Sequence, residues 1–321
     1  MNNLEERYDI PIVIMVFNRP KHTRILLSIL SQLRPTQLFV VADGPRDFIS
    51  SDFELCQEVR NIIDCMVDWP CKLYKNFRED NLGCGLSPAR GVDWVFEYVD
   101  RVIILEDDCL PSASFFLFCR EGLNRFAKND KVMMISGNNH LLNKKNIDDS
   151  YFFSINTQTH GWATWKRAWK KYDFYMSDWP RWRSLYWLYS MHRDVKYALK
   201  WLKLFDEVYK NANSKVKYDC WDFQWTYACW KNKALNVIPK KNLVSNIGYG
   251  DDATHATPPD HPLSNLVAEE LSFPLNHPAK IEQDRVADAV LARNVYGNYS
   301  IIFKVWRKLK KLVNRQRLFN C

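Results

Sequence analysis

Along the first third of the chain, short continuous apolar runs alternate with stretches whose apolar residues recur every three or four positions. Pro11-Ile-Val-Ile-Met-Val-Phe17 is the first run, and its β-branched content predicts a strand covered on both faces. Asn18-Arg-Pro20 ends it, and Pro20 suits the first turn of a helix. Ile25, Leu26, Ile29, Leu30 and Leu33 then fall on one helical stripe. The pattern continues with a strand at Leu38–Ala42, stopped by Asp43-Gly-Pro-Arg46, and a helix around Asp52–Met66. A strand near Lys72–Lys75 precedes the Asn81-Leu-Gly-Cys-Gly85 break. A helix over Leu86–Val99 and a strand at Val102–Leu105 follow.

This alternation predicts right-handed crossovers and a mostly parallel, Rossmann-like α/β sheet flanked by helices. Ligands of such sheets bind beyond the carboxyl ends of the strands. Asn18-Arg19, Asp43-Gly44 and Glu106-Asp107-Asp108 all sit at predicted strand exits.

After about residue 135 the texture changes, and ten of the thirteen Trp fall between positions 162 and 230. Neither an internal repeat nor a linker interrupts the chain before about residue 256, so 1–275 reads as one domain. Residues 276–321 read as a C-terminal extension. In Tyr299–Phe319, Ile301, Ile302, Val305, Leu309, Leu312 and Val313 recur at helical spacing, with bases filling the opposite face. That is the pattern of a basic amphipathic helix lying on an anionic membrane, or else of a helix docked on the protein body.

With 321 residues, 47% hydrophobic and 26% charged, the chain can bury a core, and wholesale disorder is excluded. The net charge of +8 is local: Tyr299–Cys321 holds seven bases and no acid, which leaves +1 for the other 298 residues. A globally basic nucleic-acid binder is therefore not expected. Nine Cys without a C-x-x-C spacing argue against a zinc ribbon or disulfide framework and for reduced thiols. Neither a secretory h-region nor an apolar run long enough to span a bilayer is visible, so a soluble, cytoplasmic protein is expected.

Three adjacent acids at a strand exit repel one another unless a cation or hydrogen-bond donors hold them. Hard oxygen ligands suit Mg²⁺ or Mn²⁺, which one or two carboxylates plus substrate phosphates commonly hold; the alternative is a solvated turn.

The strand and turn motifs at Pro11–Pro20, Asp43–Arg46, Asn81–Gly85 and Ile104–Cys109 together resemble the GT-A nucleotide-sugar-dependent glycosyltransferases. Within them the chain is similar to bacterial family-2-type proteins related to N-acetylglucosaminyltransferase I. Gly161-Trp-Ala-Thr-Trp165, Trp221-Asp-Phe-Gln-Trp225 and Asn246-Ile-Gly followed by Ala253-Thr-His255 continue the resemblance, which covers about residues 10–257.

The resemblance implies a donor half at about 10–135 and an acceptor half at about 136–257. Phe17, Asn18 and Arg19 would face the donor, Arg19 at its diphosphate. Asp43, with Gly44, would receive the uracil, unless it serves only as a turn residue. Gly85 would let the backbone approach the donor, although a tight turn explains it as well. Glu106 and Asp107 would contact the transferred sugar and ribose, and Asp108 would bind the metal. His255 would complete the metal site or serve as a hydrogen-bonded loop residue. Asp222 matches the catalytic base, with Asp219 as the alternative. Trp162, Trp221 and Trp225 would stack on acceptor sugars, and His140 and His160 are candidate acceptor contacts. The implied activity is inverting, metal-dependent transfer from a nucleotide-diphosphate sugar, UDP-N-acetylglucosamine foremost. The implied acceptor is a glycan or glycolipid of surface polysaccharide synthesis at the inner membrane face. A non-catalytic, membrane-associated sugar-binding relative is the alternative.

Overall fold

In a computed structural model, residues 7–141, 148–214, 219–248 and 266–296 are described. The apolar runs at the start become adjacent strands: β1 (Ile12–Val16), β2 (Gln37–Ala42), β3 (Lys72–Phe77) and β4 (Arg101–Glu106). Between them lie α1 (Pro20–Leu33), α2 (Ser50–Met66) and α3 (Gly83–Val95). Pro20 occupies the first turn of α1, as the sequence predicts. β1 pairs in parallel with β2 on one side (Ile12 opposite Leu38) and with β4 on the other (Ile12 opposite Ile103).

Further along come β5 (Cys109–Pro111), α4 (Ala113–Arg125), β6 (Val132–Ser136), β7 (Tyr151–Ser154) and β8 (Trp162–Trp165). Short helices α5 (Lys166–Trp169), α6 (Trp179–Trp182) and α7 (Leu185–His192) precede the longer α8 (Val195–Ala212) and α9 (Asp222–Lys231). β9 (Leu235–Pro239), β10 (Val244–Asn246) and α10 (Arg285–Tyr296) complete the described elements. The main sheet has eight strands in the order β3-β2-β1-β4-β8-β6-β9-β7. The pairings leave six strands pointing one way, with β8 and β7 reversed. The fold is thus α/β with a large, mostly parallel sheet, and among the described residues no helix is long and apolar enough to cross a membrane.

Successive strand residues point to opposite faces, and the two cores follow that alternation. Ile12, Ile14, Val16, Leu38 and Val40 join α1, α2 and α4 on one face. Val13, Met15, Phe39 and Val41 join α3, α8 and α9 on the other. The tryptophan-rich half supplies this second core, where Trp162, Trp169, Trp179, Trp201, Trp221, Trp225 and Trp230 bury their rings. Large rings bury much apolar surface each and fill the space between the sheet and these helices.

One expected boundary needs correction. Helix α3 begins at Gly83 rather than Leu86, because the Asp43 carboxylate accepts from the Leu82 and Gly83 N–H groups and so fixes an earlier start. The described part of the expected C-terminal extension, residues 276–296, packs on the sheet. Ser150 and Asn276 exchange hydrogen bonds, Gln283 bridges Phe153, and α10 packs on β7. Its anchor is the buried Asp288, which accepts from the Ser154 hydroxyl, Asn156 Nδ2 (2.8 Å) and Gln283 Nε2 (2.8 Å). The basic tail from residue 299 onward lies outside the described residues. All eight described cysteines are free thiols.

The half-buried His192 closes α7, with its ring 4.1 Å from that of Tyr197 and 5.6 Å from that of Trp230. Burial lowers its pKa from 6.5 to about 4, so the folded state keeps the ring neutral. Its stabilising contribution is complete above pH 6.5 and is lost as pH falls toward 4, because only the unfolded chain takes up the proton in that window. The loss is up to about 3 kcal/mol. Urea unfolding of the wild type and a His192→Phe variant, at about pH 7 and about pH 4.5, should show a smaller acid loss in the variant. Equal losses would remove His192 from the account.

Candidate active site

The chain leaves β1 through α1 toward β2 and β3, then returns through α3 to β4 on the other side of β1. The order reverses between β1 and β4, and a crevice beyond the carboxyl ends of such a strand pair is where open α/β sheets bind ligands. Arg19 follows β1, while Glu106 ends β4 and is followed by Asp107 and Asp108. Across the crevice, Arg19 Nη1 lies 3.3 Å from Asp107 Oδ1 and 3.4 Å from Asp108 Oδ2. Two of the three exits marked in the sequence, Asn18-Arg19 and Glu106-Asp107-Asp108, meet there.

Asp108 is held from a second side. β5 and β10 form an antiparallel pair that sets Asn246 opposite Cys109. Asn246 Nδ2 donates to Asp108 Oδ1 (3.1 Å), and the Ile247 N–H donates to the Asp108 carbonyl (2.9 Å). The Gly248 N–H donates to Asn246 Oδ1 (2.7 Å). A Cβ on Gly248 would lie 2.1 Å from Asp108 Oδ2, so only glycine lets the chain pass this close. The roles of Asn246 and Gly248 are not apparent from sequence, although both stand in the Asn246-Ile-Gly248 motif.

The crevice is over-supplied with negative charge. Burial, then the charges of Asp108, Asp107 and Asp222, raise the Glu106 pKa to about 8. Burial and the charge of Asp108 raise Asp107 to about 7, against the opposing pull of Arg19. His160, in the turn before β8, is pushed down by burial while Asp108 and Asp222 pull it up. Asp222, the first residue of α9, therefore shares one electrostatic neighbourhood with Glu106, Asp108 and His160. Its Oδ1 accepts from the Cys220 thiol. Asp219 lies against α3: its carbonyl accepts from Cys84 Sγ (3.5 Å), and burial with the Asp219 charge pushes the Cys84 thiol up to about 12.

Among the described residues, no three His, Cys, Asp or Glu side chains form a ready-made metal site, and His255 lies outside the described residues. The charge balance nevertheless fits a divalent cation, with Asp107 and Asp108 against Arg19 and the charges of Asp108, Asp107 and Asp222 all acting on Glu106. One or two carboxylates are what Mg²⁺ or Mn²⁺ takes from a protein when phosphate oxygens supply the rest.

The other expected donor residues are engaged in building the walls. Asn18 Nδ2 donates to the buried Asp52 (2.7 Å), which Arg46 grips through Nε (2.5 Å) and Nη2 (2.9 Å). Arg46 also lies over the Phe17 ring, 5.4 Å from its centroid. Asp43 accepts from the N–H groups of Leu82 (3.0 Å) and Gly83 (2.9 Å) and from Asn81 Nδ2 (3.1 Å). A Cβ on Gly44 would lie 2.3 Å from the Glu79 carbonyl oxygen, so glycine here lets the turn after β2 pass close to the Glu79–Asp80 backbone. Gly85 is buried in the first turn of α3.

The open sugar-stacking faces expected of Trp162 and Trp225 are not present. Trp162 stacks on Trp221 (5.5 Å between centroids) and leans on Trp225 (5.6 Å), and both Trp162 and Trp225 are buried throughout. Trp221 keeps 7% of its surface exposed. The wedge packs because β8 runs antiparallel beside β4 and sets Trp162 opposite Ile104, under α9. The indole N–H groups of Trp162 and Trp225 are buried without an acceptor among the described residues. His140 Nε2 pairs with Asn138 Nδ2 (2.7 Å) beyond β6, with its ring 6.0 Å from that of His160.

Comparison of the sequence with models of known protein families and with curated proteins gives no match.

Proposed function

We propose that this crevice transfers a sugar, with inversion, from a nucleotide-diphosphate donor to an acceptor hydroxyl, as the resemblance to GT-A glycosyltransferases implies. The observation that carries the reading is the juxtaposition of Arg19, Asp107 and Asp108 at the β1–β4 reversal, with the charge of Asp222 acting on the same cluster.

An inverting displacement needs one general base. The acceptor oxygen bonds to the anomeric carbon, its proton passes to the Asp222 carboxylate, and the bond to the departing diphosphate oxygen breaks. The electron pair of that bond leaves with the diphosphate, so no acid is required there if its charge is balanced. Arg19 supplies one positive charge at the strand exit. Asp108, fixed by Asn246 and the Gly248 loop, would hold Mn²⁺ or Mg²⁺, with Asp107 or Glu106 beside it. When bound, the ion neutralises the diphosphate and makes it a better leaving group. Asp43 orders the Asn81–Gly83 segment and so shapes the donor side, while Asp52 holds Arg46 and Asn18 at its rim.

UDP-N-acetylglucosamine is the first donor to try, and a glycan or lipid-linked glycan is the acceptor class. Thermal unfolding should be followed with UDP-, GDP- and dTDP-sugars, each with and without Mn²⁺. At a free concentration about 100 times Kd, a donor raises stability by about 2.7 kcal/mol, which reads as a rise in Tm of a few degrees. No shift with any nucleotide sugar and metal would end the proposal. A shift without turnover on any acceptor would favour a binding protein instead.

A further inference from the structure

On the side of the molecule that carries α7 and α8, we infer a docking surface for an anionic lipid bilayer, built on the outer faces of these two helices. The inner faces of the pair are fixed: Leu188, Ala198, Trp201 and Phe205 enter the core beneath the sheet. Arg193, in the left-handed conformation (φ 54°), and Asp194, which caps α8 by accepting from the Tyr197 N–H, join the two helices in a tight turn. The outer faces therefore turn away from one shared core.

Those outer faces carry apolar groups that a water-facing hairpin would not need. Tyr186 is 82% exposed, Val195 55% and Leu199 49%, with Leu185 and Tyr189 also exposed. Scattered single apolar residues are ordinary on a protein surface, whereas a cluster of them on adjoining turns marks a contact site.

Charge selects the occupant. Between residue 181 and the end of α8 at Ala212 there are seven bases and three acids, a net of +4. Residues 1–298 sum to only +1, so the other 266 residues of that stretch carry −3. Arg183 pairs with Asp206 (2.8 and 2.9 Å), and Arg193, Lys196, Lys200 and Lys203 are exposed on the turn and on α8, as is the acid Glu207. Lysine stems lie along apolar surface while their heads reach phosphate, and tyrosine rings suit the headgroup level. Protein–protein interface cores are depleted in lysine, and a second copy of the patch would oppose like charges. A nucleic acid would leave Val195 and Leu199 without a role. The surface is argued without reference to sugar transfer, though it would suit a lipid-linked acceptor.

The test is sedimentation of the full-length protein with vesicles of phosphatidylserine and phosphatidylcholine, and with phosphatidylcholine alone. Binding to the anionic vesicles only, falling with salt, is expected. Each base near an anionic surface is worth about fivefold in partitioning, so Lys196→Gln with Lys200→Gln and Lys203→Gln should lower it on the order of 100-fold. Tyr186→Ser with Leu199→Ser should weaken binding while preserving its salt dependence. Lys128→Gln with Lys131→Gln and Lys280→Gln, at exposed positions elsewhere, should change it by less than about threefold. Equal losses in both lysine triples, unchanged binding in the α8 triple, or binding to an acidic polypeptide or oligonucleotide but not to vesicles would overturn the inference. Manganese-assisted UDP uptake intact in the α8 triple separates this surface from the donor site.

Discussion

Asp108→Asn is expected to cut manganese-assisted UDP uptake on the order of 100-fold and sugar transfer on the order of 10³-fold. The substitution is nearly isosteric, so Asn246 can still donate to the remaining carbonyl oxygen and the β5–β10 pair stays in place. What disappears is the charge that would hold the cation. The same change has a second, opposite signature in the unliganded protein. Asp108 raises the pKa of both Glu106 and Asp107, so removing its charge relieves repulsion in a buried cluster. The unliganded variant should therefore unfold at the same temperature as the wild type or higher, while the rise produced by UDP and Mn²⁺ vanishes. A general structural role would lower both. Titration calorimetry of UDP with Mn²⁺, alongside thermal unfolding without ligand, reads the two effects apart. Unaltered UDP uptake in Asp108→Asn would remove the metal role from this carboxylate.

Three strands of the parallel half, β1, β2 and β4, are legible in the sequence because they are buried on both faces. Such strands read as unbroken apolar runs that polar residues stop at their carboxyl ends, as Glu106 stops β4. The ends of α3 are less legible because its start depends on Asp43, some forty positions away in the chain. Three-residue strands such as β10 carry almost no periodicity, and the contact of Asn246 with Asp108 spans 138 positions. The tryptophans show a different limit. Their number marks a large aromatic core, but composition cannot tell a ring stacked on another ring from one that faces a ligand. Trp162 becomes a core residue only through the strand pairing that places it under α9. The Asp288 anchor is similarly hidden, since an acid in a helix reads as solvated until Ser154, Asn156 and Gln283 are brought around it.

Asp222→Asn should lower kcat by about 10³-fold, within the range general bases supply, while UDP binding with Mn²⁺ stays within about twofold. The pair of readouts matters because Asp222 also charges the neighbourhood of Glu106 and His160. Were its role only electrostatic, the amide would shift donor affinity and turnover together. The amide retains an oxygen for the Cys220 thiol and leaves the Asp222 carbonyl free to accept from the Thr226 hydroxyl (3.1 Å), so the first turn of α9 is preserved. Asp219→Asn supplies the comparison, since Asp219 flanks the same segment but is engaged with Cys84 at the start of α3. Its kcat should stay within about fivefold of the wild type. If the two variants exchange behaviour, Asp219 is the base and α9 presents the wrong carboxylate. If both turn over normally, the proton goes elsewhere, and the inverting mechanism loses the one group it requires.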